Sequence, residues 1–507
     1  MKRKQKLHFF SSTLPALLFG AASGCAASVI VTLFKWAAGK AVALSELLYH
    51  ADLIYLPILL AFLFGAAWFY AFLYRHEPEL QGGGVPTSVG AMRGLLRLKP
   101  LRNILGVFLL SLLTFALGVP LGTEGPSVQM GAAVGSGLVL LCGKKWRAWD
   151  RIATTGGASA GFSVALGAPL SGIVFSIEEA HHSVTPMIVL TAITSVLSAS
   201  VTTRFLSPRL GVSTALFSLP ALPTLALRQL WIPFVVGAAL GLYTLAFFGI
   251  YRLLAHLFTK KLSPVSQCFK LFCVLAVTLL CGILSHDFIS TGHHFIQSLF
   301  DVLPAFGMLL LIVLVRSLLT LGANTAGMTG GIFLPQLAIG AAAAAAVAAL
   351  LHSLGLPETY TSLIVALGIC ACIAGMMKMP LTAILFAVEG LGLGGNLPAV
   401  VLTAAIAFAI PECLGGESIA ERVLERRHEA RTHGKPEYSS ELDLTVCDGA
   451  FAVGKEVRDI LWPAGVRILN VQYGETPGLL SAGDTLRIYY QTHDYKQLRS
   501  ELSALLE

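Results

Sequence analysis

The sequence predicts an all-α polytopic membrane domain made of two related halves with broken helices, followed by a small α/β domain. Three observations predict it: the composition, a series of apolar segments of which several are too short to span a bilayer, and a gapless internal repeat. Of 507 residues, 55% are hydrophobic and 12% charged, against roughly 25% charged in an ordinary soluble domain. A mean hydropathy of +0.75 with 50 glycines and 23 prolines excludes a soluble globular protein, a coiled coil and a disordered chain. At about 20 apolar residues per crossing, the stretch from Leu7 to Pro411 holds far more helical segments than an anchor needs.

The apolar segments run over 14–40, 51–74, 101–119, 127–142, 152–167, 169–180, 187–206, 229–257, 267–286, 304–322, 332–354, 360–377, 380–390 and 397–411. Those opening at Pro169 and Pro380 are short enough to stop partway through the membrane, which is tolerated only where their ends are buried in protein or line a cavity. Ala168 to Glu178 aligns without gaps on Met379 to Glu389, 211 positions on, and Pro126 with Gly131 matches Pro335 with Gly340, 209 positions on. Two matches at nearly one offset imply a duplicated half, about 7–206 and 229–415. Duplication with interrupted segments in corresponding positions is the pattern of a transporter whose site lies between the repeats.

The net charge of +7 calls for no nucleic acid. Lys2, Arg3, Lys4 and Lys6, and again Lys144, Lys145, Arg147 and Arg151, sit where the positive-inside rule places cytoplasmic residues. Ala22–Cys25 resembles a lipoprotein cleavage box, but the apolar run continues to Phe34, longer than a signal peptide's core. The nine cysteines show no metal spacing and no disulfides are expected. After Pro411 the composition changes: 431–440 reads as a linker, and 441–507 as a small domain with strands around Leu442–Val446, Val466–Val471 and Leu486–Tyr490, a short helix over 453–460, and a closing helix to Leu506.

The informative residues are charges stranded in apolar sequence. Glu124 stands alone between Arg102 and Lys144, and Glu178 and Glu179 between Arg151 and Arg204. Intramembrane ionisable residues default to function; the bland reading of Glu124 is a surface loop, and of one of the adjacent pair a cap or a solvated carboxylate. Glu124 lies in Gly122-Thr123-Glu124-Gly125-Pro126. Proline suits a helix's first turn, and glycine admits close approach of backbone. The first amides of such a helix lack partners and its dipole is positive there, so the site favours an anion. Gly331 to Pro335 is built alike, and Gly82 to Pro86 (with Gly83 and Gly84) is a third opening, so converging N-termini are expected. There a carboxylate at Glu124 competes with the anion, and protonation releases the site.

These three loops, in this order and spacing, resemble the signature loops of the CLC family of chloride channels and proton/chloride antiporters, over about residues 1–430. The resemblance implies a homodimer in the cell membrane, with one anion pathway per subunit, inverted-topology halves, and a cytoplasmic N-terminus and C-terminal domain. It implies Glu124 as the gate and Glu179 as an inner proton-transfer carboxylate, which favours antiport of chloride or another small monovalent anion with protons over a passive channel, the alternative. Anion contacts would come from Ile332 and Phe333 amides, with the backbone at Gly83, Gly84, Gly122 and Gly125 nearby; Gly82, Pro86, Pro126, Gly331 and Pro335 shape the loops. Relatives usually carry a serine where this chain has Gly83 and a tyrosine where it has Ala420, so two hydroxyl donors are missing. Thr123 also stands in place of a basic residue beside the gate. The fluoride-exporting branch fits poorly. The tail is similar to the TrkA-C domain of potassium-conductance regulators, implying a small-molecule ligand such as a cyclic dinucleotide.

Other matches carry less. Gly157-Ala158-Ser159-Ala160-Gly161 fits a nucleophile elbow and would make an intramembrane hydrolase, but it sits in a helical run rather than at a strand-to-helix turn; no enzyme activity, cofactor or metal is expected. His181-His182 and His293-His294 are neighbours that diverge on a helix. Gly20 to Gly24, Gly131 to Gly135 and the alanines 341–346 read as tight helix packing within the subunit.

Overall fold

The computed structural model describes residues 13–49, 53–181, 184–220, 222–474 and 478–507. The N-terminal basic cluster and His182 lie outside them. α1 (Leu14–Tyr49), α2 (Leu56–His76), α3 (Val85–Met92), α4 (Pro100–Ala116), α5 (Glu124–Cys142), α6 (Asp150–Leu166), α7 (Pro169–Phe175) and α8 (Pro186–Leu210) form the first half. The second half is α9 (Trp231–His256), α10 (Gln267–Leu284), α11 (His293–Ser298), α12 (Phe306–Ala326), α13 (Phe333–Ser353), α14 (Thr361–Met376), α15 (Pro380–Glu389) and α16 (Leu397–Cys413). α17 (Ile419–Thr432) leads to β1 (Tyr438–Thr445), β2 (Val466–Gln472), β3 (Thr485–Thr492) and α18 (Tyr495–Leu506). Among the described residues ten helical segments are long and apolar enough to cross a membrane.

Proline opens many of these helices, standing in the first turn of α2, α3, α4, α7, α8, α15 and α16, where its missing N–H costs no helical bond. α1 continues past the expected end at 40, because Lys40 is exposed and ends the apolar run without interrupting the backbone ladder. The halves pack through small residues. A Cβ on Gly131 of α5 would lie 2.2 Å from the carbonyl oxygen of Gly157 on α6, and the equivalent crossing of α13 on α14 places a Cβ on Gly368 2.1 Å from that of Ala344. Gly24 of α1 is as close to the backbone of Ser195 on α8. The elbow-like Gly157–Gly161 is thus a helix crossing in the middle of α6, with no strand-to-helix turn around Ser159.

The short helices α7 and α15 cap each other. The Glu178 carboxylate accepts from Leu381 N (2.9 Å), Thr382 N (2.8 Å) and Thr382 Oγ1 (2.7 Å). Glu389, its repeat mate, accepts from Leu170 N (2.9 Å) and Ser171 N (3.3 Å). Each helix leaves its first amides without intrahelical partners, and each half supplies the anion that satisfies the other's. Glu178 is therefore a cap, the bland reading considered for one of the pair. A single π-helical turn over Ser176–His181 carries both glutamates and turns Glu179 elsewhere.

The tail is an antiparallel sheet in the order β1-β3-β2 with a bulge between Ile468 and Asn470, covered by Leu498, Leu502, Leu505 and Leu506 of α18. Two expectations are corrected. The helix expected over 453–460 is only a 3-10 turn at Val457–Asp459, because Gly454 takes φ +79° and its N–H bonds Leu480 O instead of a helical carbonyl. The linker expected over 431–440 shrinks to 433–437, since α17 and β1 extend from either side. The second basic cluster docks this tail: Arg151 donates to Leu461 O and Trp462 O, and Arg147 to Ser500 Oγ, while Phe451 meets Trp149 edge-on at 5.3 Å.

Two outcomes follow. Glu178→Ala and Glu389→Ala should each destabilise the detergent-solubilised protein by about 1–3 kcal/mol in thermal melting, the usual cost of orphaning buried or charge-assisted partners, whereas Glu178→Gln should lose less. In the tail, Lys455 is 4% exposed, with Nζ 3.7 Å from the Phe451 ring centre and bonded to Phe451 O; burial lowers its pKa to about 8. The unfolded tail then holds more protons than the folded one between pH 8 and about 10.4, so tail stability rises across that window. Urea-dependent proteolysis of the tail in the full chain should show that rise, and Lys455→Met should remove it.

Candidate functional site

The three Gly-to-Pro openings meet at one place. Gly122 and Gly331 form a two-way antiparallel bridge, Gly122 N to Gly331 O at 2.6 Å and Gly331 N to Gly122 O at 2.8 Å. Gly82 N donates to Gly327 O at 3.1 Å, drawing the first opening to the segment before α13. The approach is so close that a Cβ on Gly125 would stand 2.0 Å from Gly83 O, and one on Gly84, at φ +79°, 2.3 Å from Gly125 O. Gly84 and Gly125 have no room for a side chain. Gly83 differs: a Cβ there meets nothing closer than 3.4 Å.

Glu124 is 0% exposed, which removes the surface-loop reading. One carboxylate oxygen accepts from Leu334 N at 3.4 Å, in the first turn of α13, and the other from Thr123 Oγ1 at 3.2 Å. The carboxylate thus occupies the amide end of the opposite half's helix, as an anion would. On one side of it lies an outer cavity of about 270 Å³ bounded by Lys35, Thr123, His293, His294 and Leu334. Lys35 of α1, whose ammonium bonds Val164 O at 3.1 Å, supplies positive charge there although Thr123 does not. Sequence reasoning missed it, yet its signal, a charge inside an apolar run, is the one that singled out Glu124.

On the other side is an inner cavity of about 50 Å³. Gly83, Pro86, Gly125, Ile332, Phe333 and Ala420 line it, and Glu179 reaches it from the π turn. Arg93 holds the π turn by its backbone, donating to Glu179 O (3.1 Å) and Ala180 O (2.7 Å), and pairs with Glu421 of α17 at 2.7 Å. α17 closes the cavity with its first turn and clamps the first opening further along, where Arg427 bonds Gln81 O and Thr87 Oγ1 and Arg431 pairs with Glu79 at 2.6 Å. Gly82, Gly84, Gly122, Pro126, Gly331 and Pro335 stand in the loops and helix starts and line neither cavity. His181, His293 and His294 do not line the inner cavity; His181 bonds Thr155 Oγ1 and His293 bonds Leu216 O. Among the described residues no cluster of metal-ligating side chains occurs.

A duplicated helical membrane protein with interrupted helices meeting around a buried carboxylate defines the class. The sequence profile of the family described as voltage gated chloride channel matches residues 62–412, and the chain belongs to that family. The chain is 29% identical over 394 residues to the H(+)/Cl(-) exchange transporter ClcA of Vibrio cholerae serotype O1 (strain M66-2), covering 73% of this chain and 81% of that protein. It is 26% identical over 427 residues to the transporter of the same name from Klebsiella pneumoniae (strain 342), covering 82% and 89%. In fold it is similar to a slow cyanobacterial Cl-/H+ antiporter (TM-score 0.74, 24% identity, 82% of this chain and 99% of that one) and to a CLC-type fluoride/proton antiporter (TM-score 0.64, 21% identity, 78% and 95%).

The glycine geometry separates two neighbouring substitutions. Gly125→Ala should abolish correctly folded yield or transport, since the clash is with backbone. Gly83→Ala should give protein of near-normal yield and melting temperature; size-exclusion and melting profiles compare them directly.

Proposed function

We propose that the chain is a proton-coupled antiporter of chloride or a similar small anion, with Glu124 as gate and outer proton acceptor and Glu179 as inner acceptor. The observation that carries this reading is the place of the Glu124 carboxylate, at the amide end of α13 and between two cavities, of which the inner one also holds Glu179. A bound anion and the ionised carboxylate compete for the same amides, so protonating Glu124 opens the path and returning the proton closes it. The exchanger names of the similar bacterial proteins support coupling over passive conduction.

The same reading places the chain in the cell membrane with the tail on the cytoplasmic side, where Lys144, Lys145 and Arg147 adjoin it. It includes a homodimer whose contact surface takes in the outer faces of α7 and α15 and the exposed Leu197, Val201 and Phe205 of α8. The tail is read as a regulatory module of the TrkA-C kind, taking a small-molecule ligand; its link to the pathway is α17, which joins β1 to the cavity wall.

Flux in proteoliposomes tests the reading. With voltage clamped by ionophore, an imposed chloride gradient should drive protons uphill. Glu124→Gln should reduce proton flux to background, and Glu179→Gln should do so while sparing chloride flux. Normal proton transport in Glu124→Gln would refute the assignment of the gate.

A further inference from the structure

The inner cavity is walled mainly by carbon, from Phe162, Phe175, Phe333, Met376, Met377 and Met379. Its volume of about 50 Å³ exceeds the ~10–15 Å³ that one water needs. Two primary amides nevertheless line it: Asn324 in the last turn of α12 and Gln336 in the first turn of α13. They are 9% and 1% exposed, and in each the side-chain oxygen is buried without a hydrogen-bond partner. Native interiors rarely leave such oxygens unpaired, and here two occur around one small cavity.

The other end of each amide bears on the cavity, because a primary amide also carries two N–H donors. Asn324 Nδ2 stands 3.4 Å from the point a Cβ on Gly83 would occupy, so a nitrogen donor sits beside a residue that has no side chain of its own. Gln336 follows Ile332 by four residues and Phe333 by three, placing it on the same face of α13 as those residues. Ala420 offers only a methyl group. Resting on the reading of this cavity as the anion pathway, we propose that Asn324 and Gln336 are the side-chain donors to the central anion. Their N–H groups face the ion and their oxygens turn away into protein. Two neutral amides in a phenylalanine- and methionine-lined wall compensate little for lost hydration. The site therefore favours anions that shed water readily, chloride and nitrate, over fluoride.

Calorimetric chloride binding to the full-length detergent-solubilised protein, with liposome flux of chloride, nitrate and fluoride, tests this. Asn324→Leu and Gln336→Met should each weaken chloride binding about ten-fold or more, the scale of a lost bond to a charged group, and shift the chloride-to-nitrate ratio. Asn324→Ser, which leaves space but keeps a hydroxyl, should retain most of the affinity that Asn324→Ala loses; Gly83→Ser should restore binding to Asn324→Ala. Equal losses in the serine and alanine variants, without rescue, would mark mere packing and overturn the proposal. So would wild-type affinity and selectivity in the Asn324→Leu Gln336→Met protein, in preparations where Glu124→Gln still abolishes proton flux. Absence of chloride flux in the wild type would instead overturn the underlying reading.

Discussion

Backbone amides at the start of a helix must find partners, and inside a bilayer water is not available to provide them. That constraint organises this molecule. Helices that end within the membrane bring orphan donors with them, and the chain meets the requirement with carboxylates: Glu178 and Glu389 at one pair of helix ends, Glu124 at a third. The first two carboxylates grip several donors each and hold two helices together. The third is held by its own amide, a long bond from Leu334 N and a neighbouring hydroxyl, a looser grip. The same chemistry thus closes two helix ends firmly and a third one loosely.

Glu124 reaches the start of α13 only because three loops approach within backbone contact. Gly84 and Gly125 allow it, and the bridge between Gly122 and Gly331 fixes how the two halves register. α17 then braces the assembly from the inner side through Arg427, Arg431 and Glu421. A single helix therefore touches the cavity, the first loop and the start of the tail sheet.

Much of this was legible in the sequence, for physical reasons. Long apolar runs, first-turn prolines and the repeat at Pro169 and Pro380 report on backbone and lipid, and the helices fall where these signals stand. Glu124 stood out because a lone carboxylate is costly in apolar sequence and rarely persists there without a function. What was not legible depended on contacts distant in the chain. Lys35 belongs to the outer cavity only because α1 crosses near α5. Asn324 and Gln336 look like ordinary polar residues until the cavity between α12 and α13 is seen. Glu178 and Glu179 are adjacent and alike in sequence, and only the π turn at Ser176–His181 separates a clasp from a cavity-facing group. In the tail, Gly454 ended a helix that the surrounding pattern favoured, because its positive φ serves a bond to Leu480 O.

The mutual clasp of α7 and α15 bears on biosynthesis. When the ribosome has delivered Leu170 and Ser171 to the membrane, the carboxylate that will satisfy them is still more than two hundred codons away, at Glu389. Until it arrives, the early segment carries bare polar ends and an unneutralised Glu178 in or near lipid. Completion of the second half is therefore the step that locks the first, and a product truncated before Glu389 would be left open at its seam, a natural target for membrane quality control.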